Sequence, residues 1–244
     1  MKLLLTSSGI ANRAIEEALV ELMGKPIAEA SALLVPTGVY PFRGGPVYAW
    51  YPIGGQAAPR MCQLGWKSMG ILEPSVLPSI DKANWLPTLE ETDALLVWGG
   101  DPLFIAYWMR QSGLTDILPG LLDKMVYVGV SAGSIATASN FAESYGGPRA
   151  CAGEPLKSEE IVYSSPQGEF RANLITAKGM GLVEFAIIPH FENANHRDAC
   201  SPNAELWASK MSSPVYAIDD DSAVKVNGQV VEVVSAGRWK LFNS

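Results

Sequence analysis

The chain is short of the residue types that build metal centres and disulfide frameworks. Its 244 residues include three cysteines, Cys62, Cys151 and Cys200, and two histidines, His190 and His196. An odd number of widely separated cysteines makes no disulfide framework and no C-x-x-C pair is present, so free thiols in a reducing compartment are expected and a metal site is not. Positive charge is scarce as well: 18 Lys and Arg against 25 Asp and Glu give a formal net charge of −7. A nucleic-acid partner, which needs a basic face for phosphates, is excluded on that ground. No apolar run approaches the roughly 20 residues that span a bilayer, and Met1-Lys2-Leu3-Leu4-Leu5-Thr6 has too short an apolar core for a signal peptide. The expectation is a cytoplasmic protein with no membrane partner. Neither a G-x-G-x-x-G fingerprint nor a phosphate-binding GK[ST] loop occurs, so the nucleotide-binding loops are missing too.

What remains is a globular composition, 48% apolar and 18% charged, long enough for one domain over 1–244. Apolar runs at 3–7, 32–36, 70–77, 94–98, 125–130, 186–189, 216–218, 223–226 and 230–234 read as strands. Segments 12–23, 59–69, 102–111, 134–141 and 204–211 read as helices. Strands that alternate with helices, several apolar on both faces, indicate an α/β fold whose mostly parallel sheet is covered on both sides. Asn227-Gly228 between the last two apolar runs predicts an antiparallel C-terminal edge hairpin. Two stretches break the pattern. Residues 38–55 are rich in Gly, Pro and aromatics (Tyr40, Phe42, Tyr48, Trp50, Tyr51) and read as a long loop that could cover a site or a partner. Residues 143–181, with Gly146-Gly147-Pro148 and Lys157-Ser158-Glu159-Glu160, read as an insertion over the sheet edge.

Chemistry is concentrated at Val128-Gly129-Val130-Ser131-Ala132-Gly133-Ser134. This is G-x-S-x-G between an apolar strand and a helix, the context in which a serine nucleophile projects from a tight turn. Gly129 and Gly133 remove side chains where strand and helix crowd, and the Ala132 N–H at the helix start is placed to donate to an oxyanion. A second strand-to-helix turn, Trp98-Gly99-Gly100-Asp101-Pro102, offers the Gly100 amide as the other donor. A serine hydroxyl needs a base. His190 follows Ile187-Ile188-Pro189 at the carboxyl end of a strand, where sites form in parallel sheets; His196 sits in a polar run and reads as a solvated surface residue. The third member is open between Asp219, Asp220 and Glu192: the aspartates follow the strand Tyr216-Ala217-Ile218, and Glu192 faces the same way as His190 on an extended segment.

Together these residues resemble peptidase E, the aspartyl dipeptidase family of serine peptidases, and its relative cyanophycinase, whose fold is similar to the class I glutamine amidotransferases. Gly99-Gly100-Asp101 matches the family's Gly-Gly-Asn turn, Val130-Ser131-Ala132-Gly133 its nucleophile and Ile188-Pro189-His190-Phe191 its histidine segment. Ile218-Asp219-Asp220-Asp221-Ser222-Ala223 matches the stretch with the third residue, which aligns Asp220 with the acid. The rival Glu192 has the H-x-E spacing of the amidotransferases. The order Ser131, His190, Asp220 differs from the Ser, Asp, His order of α/β-hydrolases. The resemblance implies Ser-His-acid acyl transfer on a small peptide or amide, with Gly99, Gly100, Asp101 and Ala132 around the substrate and no cofactor or metal. Asp101-Pro102 stands where peptidase E has Asn-Thr; a carboxylate there would repel an aspartyl side chain, so another N-terminal residue is expected. An esterase, a cyanophycinase-like hydrolase and a non-catalytic small-molecule-binding relative are the alternatives, and a homodimer is left open.

Overall fold

The computed structural model describes residues 1–57, 60–145, 156–165 and 168–243. Cys151 and the turn Gly146-Gly147-Pro148 lie outside them. In chain order the strands are β1 (Lys2–Thr6), β2 (Ser31–Val35), β3 (Ser68–Ile71), β4 (Ala94–Val97), β5 (Val126–Val130), β6 (Asn140–Tyr145), β7 (Lys157–Ser165), β8 (Gly168–Lys178), β9 (Ala186–Ile188), β10 (Val215–Ile218), β11 (Ser222–Asn227), β12 (Val230–Ser235) and β13 (Trp239–Phe242). The α-helices are α1 (Arg13–Met23), α2 (Gly45–Ile53), α3 (Leu86–Glu90), α4 (Pro102–Gln111), α5 (Leu114–Leu121), α6 (Ala132–Ile135) and α7 (Ser201–Ala208).

Seven strands form the central sheet in the order β12-β11-β1-β5-β4-β2-β3. β1, β5, β4, β2 and β3 run parallel, while β11 joins β1 antiparallel and closes with β12 through the Asn227-Gly228 turn. The parallel strands are apolar on both faces because both are covered. Leu3, Leu33, Leu95 and Tyr127 pack with residues of α4 and α5 such as Leu103, Met109 and Leu118. The alternate residues Leu4, Leu34, Leu96 and Val128 pack with Ile15, Leu19 and Leu22 of α1. The two-residue period of a strand thus divides each apolar run between two cores. Helix α1 starts where Asn12 Oδ1 accepts from the Ile15 N–H and ends at Gly24 in the left-handed region.

The sequence reading needs correction in four places. The stretch read as a helix over 59–69 is not one in its described part: from Arg60 the chain runs through turns into β3, and the Gln63 amide donates to the Pro52 and Ile53 carbonyls instead of facing solvent. β3 itself ends at Ile71, well before 77. The stretch 134–141 is helical only in α6; Asn140–Tyr145 pair with β8. The supposed loop 38–55 contains α2, whose Pro46 stands in the first turn, where the missing N–H costs nothing. Among the described residues there are three sheets where one was expected. β6, β8 and β7 form an antiparallel sheet, and β9, β10 and β13 form a mixed one in which β9 and β10 run parallel and β13 antiparallel. The chain leaves the latter for the central sheet at Asp219–Asp221, where Asp219 accepts from the Arg238 N–H and Ser222 Oγ.

Candidate active site

Parallel pairing sets strand ends side by side, and the site uses five of them. β1, β4 and β5 lie close in the central sheet and end at Ser7, Gly99 and Ser131; β9 and β10 are parallel neighbours in the smaller sheet and end near His190 and Asp220. The Phe191 N–H donates to the Ile218 carbonyl at 3.1 Å and fixes those last two ends relative to one another.

Ser131 sits at φ 51°, ψ −114°, a conformation that L-residues adopt at a cost of about 1–3 kcal/mol and that the surroundings must impose. They do so from β1. The Thr6 carbonyl accepts from the Ser131 N–H at 3.0 Å and from Ser134 Oγ at 2.7 Å, and Thr6 Oγ1 donates to the Gly129 carbonyl at 2.7 Å. Buried Tyr127 donates to the Gly133 carbonyl at 2.7 Å. A Cβ on Gly133 would stand 2.2 Å from the Val97 carbonyl oxygen, and one on Gly129 2.8 Å from the Ser134 backbone, so neither position accepts a side chain.

His190 Nε2 lies 2.9 Å from Ser131 Oγ, and His190 Nδ1 lies 2.7 Å from Asp220 Oδ1. Both contacts are hydrogen bonds when Nδ1 carries the proton: Nδ1–H donates to the carboxylate and Nε2 accepts from the serine hydroxyl. Asp220 also accepts from Ser7 Oγ at 2.8 Å and from Asn193 Nδ2 at 2.5 Å. Ser7 in turn accepts from the His190 backbone N–H at 2.8 Å. The His190 bond first, and then the His190 charge and the Ser7 and Asn193 bonds, hold the Asp220 carboxyl well below the usual carboxylate range against the opposing effect of burial.

Of the three carboxylates left open from the sequence, Asp220 is the one against the imidazole. Glu192 turns away, accepting the Ser201 N–H at 2.9 Å and Ser201 Oγ at 2.5 Å at the start of α7. Asp219 serves the turn between the sheets. Asp101 is 1% exposed; its Oδ1 caps α4, accepting from the Leu103 and Phe104 N–H groups, and also accepts from Tyr145 Oη at 2.9 Å. The carboxylate expected to face a substrate is held by the protein.

Three neighbours escaped the sequence reading. Ser7 and Asn193 bond Asp220 as described. The third is His196, which is exposed on one side but stacks on the His190 ring at 3.9 Å between centroids, 14° from parallel. Partial burial and then repulsion from His190 lower its pKa from the ordinary histidine value, against opposing pulls from Asp198 and Asp220. A polar residue at the carboxyl end of β1 was the only available hint of Ser7; the contacts of Asn193 and His196 depend on how the turn after β9 folds back.

Gly100 has φ +125°, and a Cβ there would lie 2.2 Å from the Gly38 carbonyl oxygen. Among the described residues neither the Gly100 nor the Ala132 amide donates to a backbone carbonyl. Two cavities meet at Ser131, Gly100 and His190. The smaller, about 220 Å³, has a mixed lining in which Ser144, His196 and Asp198 stand beside Phe42, Tyr145 and Trp207. The larger, about 720 Å³, is walled by Val39, Phe42, Tyr48, Tyr51 and Trp98. Among the described residues no group of His, Cys, Asp and Glu could hold a metal ion, and no helix is long and apolar enough to cross a membrane.

Comparison with known proteins places these features in context. The model of peptidase family S51 matches residues 3–151 and 145–234. An uncharacterized peptidase of Listeria monocytogenes is 22% identical over 167 residues, which cover 68% of this chain and 72% of that protein. Among solved structures, a candidate peptidase E protein from L. monocytogenes EGD-e superposes with a TM-score of 0.61 at 15% identity, covering 97% of this chain and 98% of that one. A peptidase from an acI-B1 actinobacterium gives 0.62 at 18% identity, covering 98% and 88%.

Proposed function

The chain belongs to peptidase family S51 and is a serine-type peptidase, and from that premise we propose that Ser131, His190 and Asp220 cleave a small peptide or amide through an acyl-enzyme. The observation that carries this reading is the continuous relay from Ser131 Oγ to His190 Nε2 and from His190 Nδ1 to Asp220, with 2.9 Å and 2.7 Å steps.

In this mechanism Ser131 Oγ attacks the scissile carbonyl while His190 Nε2 takes its proton. Asp220 fixes the tautomer and stabilises the imidazolium that forms. The Gly100 and Ala132 amides receive the oxyanion; donors of this kind are worth about 10²–10³ each in rate. His190 then returns the proton to the leaving amine, and water, deprotonated by the same nitrogen, releases the acyl group. Ser7 contributes by locking the base, since it bonds the backbone of His190 and the carboxylate that orients its ring. The proposal keeps the chain in the cytoplasm, where free thiols such as Cys62 and Cys200 stay reduced.

The substrate in this reading is not an aspartyl dipeptide, because the lining of the larger cavity offers no cation among the described residues. The test is intact-mass labelling with a fluorophosphonate on the wild type, Ser131→Ala and His190→Ala, followed by a full dipeptide panel. One adduct on the wild type, none on Ser131→Ala and slowed reaction in His190→Ala are the expected outcome. An adduct that survives Ser131→Ala refutes the assignment of the nucleophile, and turnover of aspartyl dipeptides alone refutes the substrate reading.

A further inference from the structure

The aromatic segment after β2 is tied to the oxyanion turn by backbone contacts that leave no room for side chains. The Asp101 N–H donates to the Gly38 carbonyl at 2.8 Å. A Cβ on Gly100 would strike Gly38, one on Gly38 would strike the Gly99 carbonyl oxygen at 2.6 Å, and one on Gly45 would strike the Val39 carbonyl oxygen at 2.5 Å. Gly45 opens α2, so the position of the helix is set, through Val39 and Gly38, by the turn that carries the Gly100 amide. Tyr48 and Tyr51 stand three residues apart on α2 and therefore share a face. Their rings meet edge to face, with centroids 5.7 Å apart and planes at 72°, and both line the larger cavity. Val47 and Trp50, an i, i+3 pair on another face, do not line it and lie 54% and 55% exposed.

Resting on the serine reading above, we infer that this cavity is the side-chain pocket of the active site and that it takes an aromatic residue of the peptide or amide. At about 720 Å³ it falls within the range of about 300–1,000 Å³ that small-ligand pockets occupy. It opens directly onto Ser131, Gly100 and His190, so a group held in it is adjacent to the scissile carbonyl. Its described lining contains no Lys, Arg, Asp or Glu to pair with a charged side chain, so burial in it favours an uncharged one. Tyr48 and Tyr51 remain 41% and 37% exposed. Together with Phe42 and Trp98 they present ring faces and edges against which an incoming ring can stack or pack edge-on, the arrangements aromatic pairs prefer. The smaller cavity on the other flank of Ser131, with Ser144, His196 and Asp198 in its lining, is left for the remainder of the substrate.

Two fluorophosphonates test this, one carrying a benzyl and the other a methyl group in the substrate side-chain position. Labelling rates of Ser131 are measured by intact mass on the wild type, Tyr48→Ala/Tyr51→Ala and Tyr48→Phe. The expected benzyl-to-methyl rate ratio is about tenfold or more in the wild type, as for pockets that discriminate by apolar contact. The ratio collapses toward unity in the double alanine variant and persists in Tyr48→Phe, which keeps the ring. Equal rates in the wild type overturn the inference while leaving the serine nucleophile standing. A preference that survives the double variant, checked as folded by circular dichroism, places the pocket elsewhere and also overturns it. Absence of any adduct with either probe overturns the serine reading, and this inference falls with it.

Discussion

Replacing Gly100 by alanine probes whether its amide is an oxyanion donor. The added Cβ would stand 2.2 Å from the Gly38 carbonyl oxygen and 2.3 Å from its carbon, where ordinary contact begins at 3.4 Å. Gly38 cannot retreat, because it already packs against the Gly99 carbonyl and the Ile105 side chain. The turn at 100 must therefore move by about 1 Å, a displacement of the size that costs about 10² in rate when it misplaces a reacting group; loss of one oxyanion donor costs about 10²–10³. The expected result is a drop of that order in the Ser131 labelling rate and in kcat/KM on any turned-over amide. The φ of +125° adds a folding cost of about 1–3 kcal/mol, so a control must carry a positive φ without the clash. Gly113→Ala serves: φ is also positive at +76°, nothing lies within 4 Å of the added Cβ, and the residue follows the end of α4 opposite Asp101. Both variants are unfolded in urea and labelled under native conditions. Gly113→Ala should lose stability and keep its rate; Gly100→Ala should lose both. A folded Gly100→Ala that labels within about threefold of the wild type would refute the donor role, since that is far below the loss expected for one.

Asp220→Asn should lower kcat by about 10⁴, the effect of stranding a triad histidine in the wrong tautomer. Because the Asp220 carboxyl titrates lower in the folded chain than unfolded, its contribution to stability is fully present above the unfolded value near 3.9 and vanishes as pH falls through the folded value; the stability gap to the variant should hold at neutral pH and close under acid, and a gap that never closes contradicts this. His196 acts in the same direction at higher pH: with its folded pKa lowered, the unfolded chain binds more protons below about pH 6.5 and stability declines there. His196→Phe keeps a ring against His190 and should flatten that decline in unfolding curves taken from pH 8 to 5, so identical pH dependence in both proteins would count against it. Tyr127→Phe removes the buried bond to the Gly133 carbonyl and should cost about 1–3 kcal/mol in urea unfolding, with slower labelling of Ser131 as the elbow loosens.

The parallel sheet was legible because β1, β2, β4 and β5 each carry three or more apolar residues in succession, and Ser131 stood out because its glycines have a steric reason to be there. The Asp219-Asp220-Asp221 run was ambiguous for an equally physical reason: three adjacent carboxylates differ only in direction, and direction is set by the crossing from β10 to β11. Segment 59–69 misled because its apolar residues have helical spacing while its bonds run to other parts of the chain, such as Gln63 to the end of α2. Helix α2 was hidden by composition, since Gly45, Pro46 and Pro52 argue for a loop. His196 was misread because exposure and stacking coexist on the two faces of one ring.

Left-handed backbone at Ser131, His190 and Glu192 has a consequence for anyone evolving this enzyme toward heat resistance. Each of these residues holds a conformation in which glycine is more comfortable, so selection for stability alone will reward changes that let the turn after β9 relax. The same relaxation frees His190 from its ring geometry. Screens that rank variants by melting temperature will accumulate robust, inert proteins at these positions, and a library that fixes 131 and 190–193 while varying the two helix-covered cores would separate durability from loss of catalysis.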